Sequence, residues 1–552
     1  MAAPQTHNVA QLLVACIEAE GVEYVFGIPG EENVHLVDAL LDSGIRFILT
    51  RHEQGASFMA DIYGKLSGRA GVCLATLGPG AINLCLGTAD AQLDSHPLVA
   101  LVAQAGLDRS FKESHQVVDL EALFRPITKW VGTVSVPEAV AEITRKAFKL
   151  AQSERPGATA VVLPEDIAVA PVDDRPLAIN QPHDTDPSPG QIKRAAALLG
   201  RCKYPIVLAG PGVARDSASG ALRRFAEALD LPVATTFAGK GCFPDDHANA
   251  LGTVGFMQHD YVNFGFDAAD LVIAVGYDLI EYAPTRWNPR ADKTIIHIHR
   301  TPAEVDANYQ LAVGIQGGIA ASLDALAAAA PRCPTADRNA IERAKHLLRN
   351  ELVRGAGDGA FPLKPQRIVA DIRAAMGRED IVLCDTGALK MWMARLYPCY
   401  APNTCLISNG LATMGFSLPG ALGAKLAAPQ RRVLATMGDG SFLMNSQELE
   451  TAMREKIAFV VLIWTDGEYG LIHWKQQLET GRPAHIAFTN PDFISQAESY
   501  GCRGVRITAA GQLLPALREA LALDTVTIID CPVDYRENAS LTERLGKLTA
   551  AL

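Results

Sequence analysis

The sequence predicts an α/β protein of three domains, each a mostly parallel sheet flanked by helices. Strand-like apolar runs alternate with helical spacing three times along the chain. At 552 residues the chain is too long for one hydrophobic core. Two stretches read as connectors: the Pro- and Asp-rich Ala170–Pro189 and the segment APRCPTADRNA at 330–340. The boundaries expected are 1–185, 186–355 and 356–552.

In the first domain the strand-like runs are Tyr24–Phe26, Phe47–Thr50, Val72–Thr76, Leu98–Ala103 and Ala160–Leu163. The middle domain offers Ile206–Ala209, Val233–Thr236, Leu271–Val275 and Thr294–Ile298. The last begins near Lys364 with Ile381–Cys384 and Leu406–Ser408, and then reaches the most informative stretch, Val433–Gln476. There an apolar run to Met437 breaks at Gly438-Asp439-Gly440, a helical pattern continues to about Lys456, and a second apolar run ends at Trp464. That is a βαβ unit. Its strands are expected to be parallel neighbours, so the loops carrying Asp439 and Asp466 emerge at the same carboxyl edge. Two carboxylates beside a helix N-terminus, with glycines admitting close approach, suit a divalent cation carrying a diphosphate, and Mg2+ fits best. Either Asp-Gly alone reads more readily as an ordinary turn; it is the pair, one βαβ unit apart, that points to a cation.

Composition narrows the function. With 49% hydrophobic and 20% charged residues the chain is an ordinary globular protein, and a net charge of −11 leaves no nucleic-acid footprint. No apolar run is long enough to span a bilayer, and the start MAAPQTHNVAQLL lacks a signal pattern. Eleven scattered cysteines with no Cys-x-x-Cys pair argue against zinc or disulfides and for a reducing, cytoplasmic setting.

Gly438-Asp439-Gly440 with Asp466 27 residues after Asp439 resembles the thiamin diphosphate (ThDP) motif. The chain is identified as a member of the ThDP-dependent enzymes, over essentially its whole length. The resemblance implies that Asp439, Asp466 and the main-chain carbonyl of Glu468 hold Mg2+. Where the family often has two Asn residues this chain reads Thr465-Asp466, a change of charge more than of coordination. It also implies that Glu53, in the loop Arg51–Ala56, is the acid that exchanges a proton with N1′ of the aminopyrimidine, its pKa raised by an apolar surround. Pro29 and Gly30 would pack beside the aminopyrimidine, and Asn83, in Gly78–Asn83, would hydrogen-bond it. Thr386, Gly387 and Ala388, with Gly438, Gly440 and Ser441, would face the diphosphate. The loop Asn409–Gly415 would supply Asn409 and the wedge Met414, which bends the cofactor. Tyr469, Gly470 and Leu471 complete the cofactor set.

The motif GDGSFLMNSQELETA, the segment RPITKW and the Met414 loop are similar to the acetolactate synthase large subunits. The middle-domain segment Gly276–Pro284 with Trp287-Asn288 resembles their catabolic, FAD-independent branch, so FAD is not expected. This resemblance implies decarboxylation of pyruvate and ligation of the two-carbon unit to a second 2-oxo acid, giving 2-acetolactate when that acid is pyruvate. It also implies a homodimer or homotetramer with active sites between subunits. Gln116 would sit near the reacting centre, in a substrate pocket with His96, His115, Leu471 and Trp474. Structural roles for His115 and Gln116 are as open as chemical ones, and His96 and Trp474 read also as a surface histidine and as packing. The alternative is another ThDP-dependent 2-oxo acid decarboxylase or acyloin lyase, which His96 and Glu31-Glu32 keep open.

Overall fold

The computed structural model describes residues 7–180, 185–255, 260–332 and 338–546. Residues 181–184 and 333–337 of the two predicted connectors, and 1–6 of the start, lie outside that set.

Among the described residues there are three six-stranded, all-parallel sheets and one two-stranded antiparallel pair, His7–Asn8 with Pro171–Val172. In the first the strands run, edge to edge, Arg46–Leu49, Tyr24–Gly27, Gly71–Ala75, Leu98–Gln104, Ala158–Pro164 and Trp130–Thr133. The second orders Ala250–Thr253, Val233–Thr235, Pro205–Ala209, Leu271–Val275, Thr294–His299 and Leu311–Gln316. The third orders Cys405–Ile407, Ile381–Cys384, Val433–Gly438, Val460–Thr465, Thr527–Pro532 and Arg503–Arg506. Helices cover both faces, which is why the inner strands are continuous apolar runs.

Every strand expected from sequence is present. Seven more among the described residues were not expected: the short pair His7–Asn8 and Pro171–Val172, the inner strand Thr527–Pro532, and four edges of the six-stranded sheets, Trp130–Thr133, Ala250–Thr253, Leu311–Gln316 and Arg503–Arg506. An edge strand has one neighbour and a wetter face, so its sequence is not a pure apolar run. Arg503–Arg506, reading RGVR, has no buried residue. The helical pattern after Gly438 is two helices, Asp439–Asn445 and Glu448–Glu455, closed by Lys456 in the left-handed region at φ 55°.

The first and last sheets do not stand apart. Helix Glu53–Ser67 packs on helix Ser417–Ala427 at glycine-limited distance: a Cβ at Gly423 would lie 2.2 Å from the Met59 carbonyl oxygen. One hydrophobic cluster runs through both domains, with Phe26, Phe58 and Met59 from one and Leu383, Phe416 and Leu418 from the other. Among the described residues no helix is long and apolar enough to cross a membrane.

Candidate cofactor site

The Val433–Gln476 unit folds as its pattern predicts. Val433–Gly438 and Val460–Thr465 are parallel neighbours in register, with Gly438 opposite Trp464. Both following loops therefore leave the same sheet edge, and they meet there. Asp439 Oδ2 accepts from the main-chain N–H of Asp466 at 3.2 Å, from that of Gly467 at 2.8 Å and from Asn490 Nδ2 at 2.8 Å. Burial, then the nearby Asp439 charge, pushes the Asp466 carboxyl up to about 7. A cation between the two would favour both ionised forms. Glu468 turns its carboxylate away, to His473 Nδ1 at 2.6 Å. Tyr469 is exposed and packs at 5.1 Å on Phe488. Gly470 begins helix Gly470–Glu479 under Tyr535, 3.3 Å from where a Cβ would sit.

Beside Asp439 lies the loop after Ile381–Cys384. Gly387, at φ 147°, starts helix Ala388–Leu396, and Ser441 Oγ donates to the Thr386 carbonyl at 3.4 Å. Thr386 Oγ1 and Asn490 Oδ1 are buried polar atoms without a partner. Each lacks a bond that burial normally demands.

The Met414 loop is held from beneath by three buried carboxylates. Asp385 accepts from Gly415 N at 2.9 Å and Ser417 N at 3.0 Å, and burial raises its carboxyl. Asp90 accepts from Ser408 Oγ and Thr413 Oγ1, both at 2.7 Å. Asp94 accepts from Gly410 N at 2.6 Å and Asn409 N at 3.2 Å. Met414 itself is half-buried, and the Asn409 side chain turns to the Glu281 carbonyl at 2.8 Å.

At the carboxyl edge of the first sheet, Glu53 opens helix Glu53–Ser67 and accepts from Asn83 Nδ2 at 2.9 Å. Pro29 is exposed and Gly30 sits against Thr76, where a Cβ would come within 2.4 Å of the Thr76 Cβ. The Glu53 loop is tied to the last domain by Glu448. That fully buried carboxylate accepts from His52 N at 2.9 Å and Arg51 N at 3.2 Å. His115 and Gln116 are exposed on the segment that follows Leu98–Gln104.

Three models of the thiamine pyrophosphate enzymes match this chain in order: the N-terminal TPP binding domain over residues 7–123, the central domain over 192–326 and the C-terminal TPP binding domain over 385–531. A probable acetolactate synthase large subunit of Methanocaldococcus jannaschii is 36% identical, over 98% of this chain and 94% of that protein. The acetolactate synthase of Bacillus subtilis is 35% identical over 98% and 95%. A catabolic acetolactate synthase of Raoultella terrigena is 36% identical over 97% of each. This chain belongs to the ThDP enzymes, on their acetolactate synthase branch.

The ThDP cofactor of that family fits the residues present. Thr386 Oγ1 and Asn490 Oδ1 offer unsatisfied polar atoms at the Asp439 edge, and paired carboxylates suit a hard cation. Among the described residues no cluster of three His, Cys, Asp or Glu side chains forms a metal cage, so any cation here draws on main-chain oxygen and phosphate as well. In this ThDP enzyme two of the expected pocket residues, His96 and Trp474, are buried against partners within the chain. His96 precedes strand Leu98–Gln104, at the sheet edge opposite Glu53. Its Nδ1 is 2.6 Å from Asp61 Oδ1, both side chains are buried, and it borders a cavity of about 460 Å3 between the first and central domains. A histidine before a strand faces the wrong end of the sheet to meet a group bound after one. Trp474 is 8% exposed, packs in the last domain's core and donates its indole N–H to Thr542 Oγ1 at 2.8 Å. Leu471, one helical turn earlier, packs against the same core.

Trp474→Phe is accordingly expected to lower stability by about 1–2 kcal/mol through the lost hydrogen bond, read as a urea midpoint. Its product pattern should match the parent's.

Sequence reasoning missed Asn490, Tyr535 and Glu448 as site residues. Nothing in their local sequence marks them, because each reaches its partner only through the fold. The turn Thr386-Gly387-Ala388 was legible, but not the grip of the preceding Asp385 on the Met414 loop.

Proposed function

We propose that this chain is an acetolactate synthase: it decarboxylates pyruvate and joins the two-carbon unit to a second 2-oxo acid, giving 2-acetolactate and CO2 when that acid is pyruvate. The reading is carried by the meeting of Asp439 with the Asp466 loop, in a chain 36% identical over nearly its whole length to proteins named for that activity. Residues 1–185 form the pyrimidine-binding domain, 186–355 the central domain and 356–552 the diphosphate-binding domain.

When bound, ThDP supplies the nucleophilic carbon and the electron sink for decarboxylation. The chain does the rest. Asp439, Asp466 and the main-chain carbonyl of Glu468 would hold Mg2+ and, through it, the diphosphate. Main-chain N–H groups at the start of helix Ala388–Leu396 and of helix Asp439–Asn445 add to that hold. Met414 would serve as the wedge against the cofactor's rings, and the three carboxylates under its loop fix where that loop stands. Glu53 exchanges the proton at N1′, oriented by Asn83. Gln116 and His115 would face the reacting centre, and exclusion of water there would favour ligation over release of acetaldehyde.

The protein works as a homodimer, or a dimer of dimers, with sites between subunits. Exposed apolar residues support this. Ile82 and Leu86 lie on the helix that carries Asn83, and Leu443 and Met444 on or beside the one that starts at Asp439. FAD is not used. The central sheet reverses its strand order between Pro205–Ala209 and Leu271–Val275, the crevice where such sheets take dinucleotides. Here Gly212 N donates to the Gly276 carbonyl at 2.9 Å, and Arg215 lies across to Asp278 at 3.0 Å and Glu154 at 2.7 Å. The compartment is the cytoplasm, consistent with the absence of any disulfide among the described cysteines.

Purified protein given pyruvate, ThDP and Mg2+ should yield 2-acetolactate and CO2 and should be colourless. Acetaldehyde as sole product would reject the synthase reading, and a yellow preparation would reject the cofactor set.

A further inference from the structure

Glu32, in the turn after Gly30, is only 7% exposed. A buried carboxylate needs partners, and its two oxygens find them on different segments. Oε2 accepts from Thr76 Oγ1 at 2.9 Å, just after strand Gly71–Ala75 and two residues ahead of Gly78. Oε1 accepts from the Arg109 guanidinium at 3.4 Å. Arg109 is the hub of the segment that follows Leu98–Gln104. Its Nε and Nη2 donate to Glu165 Oε1 at 2.9 and 2.7 Å, and its Nη1 donates to Ser114 Oγ at 3.1 Å.

Two residues past Ser114 is Gln116, whose main chain is left-handed at φ 60°. A non-glycine residue rarely adopts that conformation unless its surroundings impose it. The Gly78 turn is close enough to do so: a Cβ on Gly78 would lie 2.7 Å from the Gln116 carbonyl oxygen. One carboxylate thus braces the Gly30 turn, the Gly78 loop and the segment that presents Gln116.

We propose that Glu32, acting through Arg109, is a positioning residue that holds the 105–117 segment in place and thereby sets how the two-carbon unit is partitioned. In one outcome its carbon bonds to the keto carbon of a second 2-oxo acid, whose oxygen takes the proton. In the other the same carbon takes a proton from water and acetaldehyde leaves. A looser segment admits water and favours the second. This inference rests on the placement of Gln116 near the reacting centre.

The test uses the full-length protein and three single variants: Glu32→Gln, which keeps size and the Thr76 bond but loses the charge facing Arg109, Arg109→Gln, and Gln116→Ala. Hydrogen exchange by mass spectrometry, without added cofactor, should show faster exchange in 105–117 for the first two and unchanged protection elsewhere. With pyruvate, ThDP and Mg2+, the acetaldehyde-to-acetolactate ratio should rise about threefold to tenfold in all three variants. The Glu32→Gln/Arg109→Gln pair should go no further than the larger single effect, since the two act in series. Should Glu32→Gln fail to fold, Arg109→Gln carries the test, its side chain being 26% exposed. If Gln116→Ala moves the ratio while the folded Glu32 and Arg109 variants change neither exchange nor ratio, the positioning role is overturned and the placement of Gln116 stands. If Gln116→Ala leaves the ratio unchanged, that placement fails and the inference falls with it.

Discussion

Replacing Glu53 by Gln is expected to slow CO2 release from pyruvate by on the order of 10²–10⁴-fold, the usual worth of a positioned proton-transfer group. The amide keeps the size of the acid, and its oxygen can still accept from Asn83 Nδ2, which now lies 2.9 Å from Glu53 Oε2. Folding and cofactor uptake should therefore survive. The rise in thermal midpoint on adding ThDP with Mg2+ should match the parent's within a few degrees, so that only the chemical step is lost. Turnover within about threefold of the parent would mean that this carboxyl does not serve the cofactor.

The second large effect concerns which chain supplies which group. Glu53→Gln and Asp466→Ala should each be nearly inactive alone. Asp466 is the safer metal-side residue to remove. Its own side chain accepts only a long bond, from Glu468 N at 3.5 Å, whereas Asp439 ties four donors together. If a site takes Glu53 from one subunit and Asp466 from the other, a mixed dimer has one intact site and one doubly damaged one. Random reassortment makes half the dimers mixed, so exchange of subunits should restore about a quarter of the parent activity. If one chain supplied both groups, mixing would restore nothing. The measurement is activity after equilibrating equal amounts of the two inactive variants.

Much of this was legible in the sequence because parallel α/β units write their geometry plainly. The βαβ pattern of Val433–Gln476 alone required Asp439 and the Asp466 loop to meet, and the Asp439 hydrogen bonds to Asp466 and Gly467 realise it. Strand edges were harder. Trp130–Thr133, half-buried throughout, lacks the continuous apolar run that marks an inner strand. Thr527–Pro532, an inner strand, was also passed over, although five of its six residues are buried. The positions of His96 and Trp474 were left open for a common reason: sequence alone does not say which end of a sheet, or which face of a helix, a side chain occupies. Glu448 and Asn490 were invisible because their partners lie far away in sequence, 396 residues in the case of His52.

The shared core between the outer domains has a consequence for how this molecule comes apart. Phe26 and Phe58 belong to the same apolar cluster as Leu383 and Leu418, and Glu448, buried at that junction, ties the last domain to Arg51 and His52. The first and last thirds therefore melt as one cooperative body, and a ribosome that has finished only the first third has made half of an interior. Cutting the chain on both sides of the middle domain would leave the two end pieces clasped to each other, and the centre would stay on the last domain through Phe237 and Tyr261 in its apolar cluster and Asp260 on buried Arg395 at 2.8 Å.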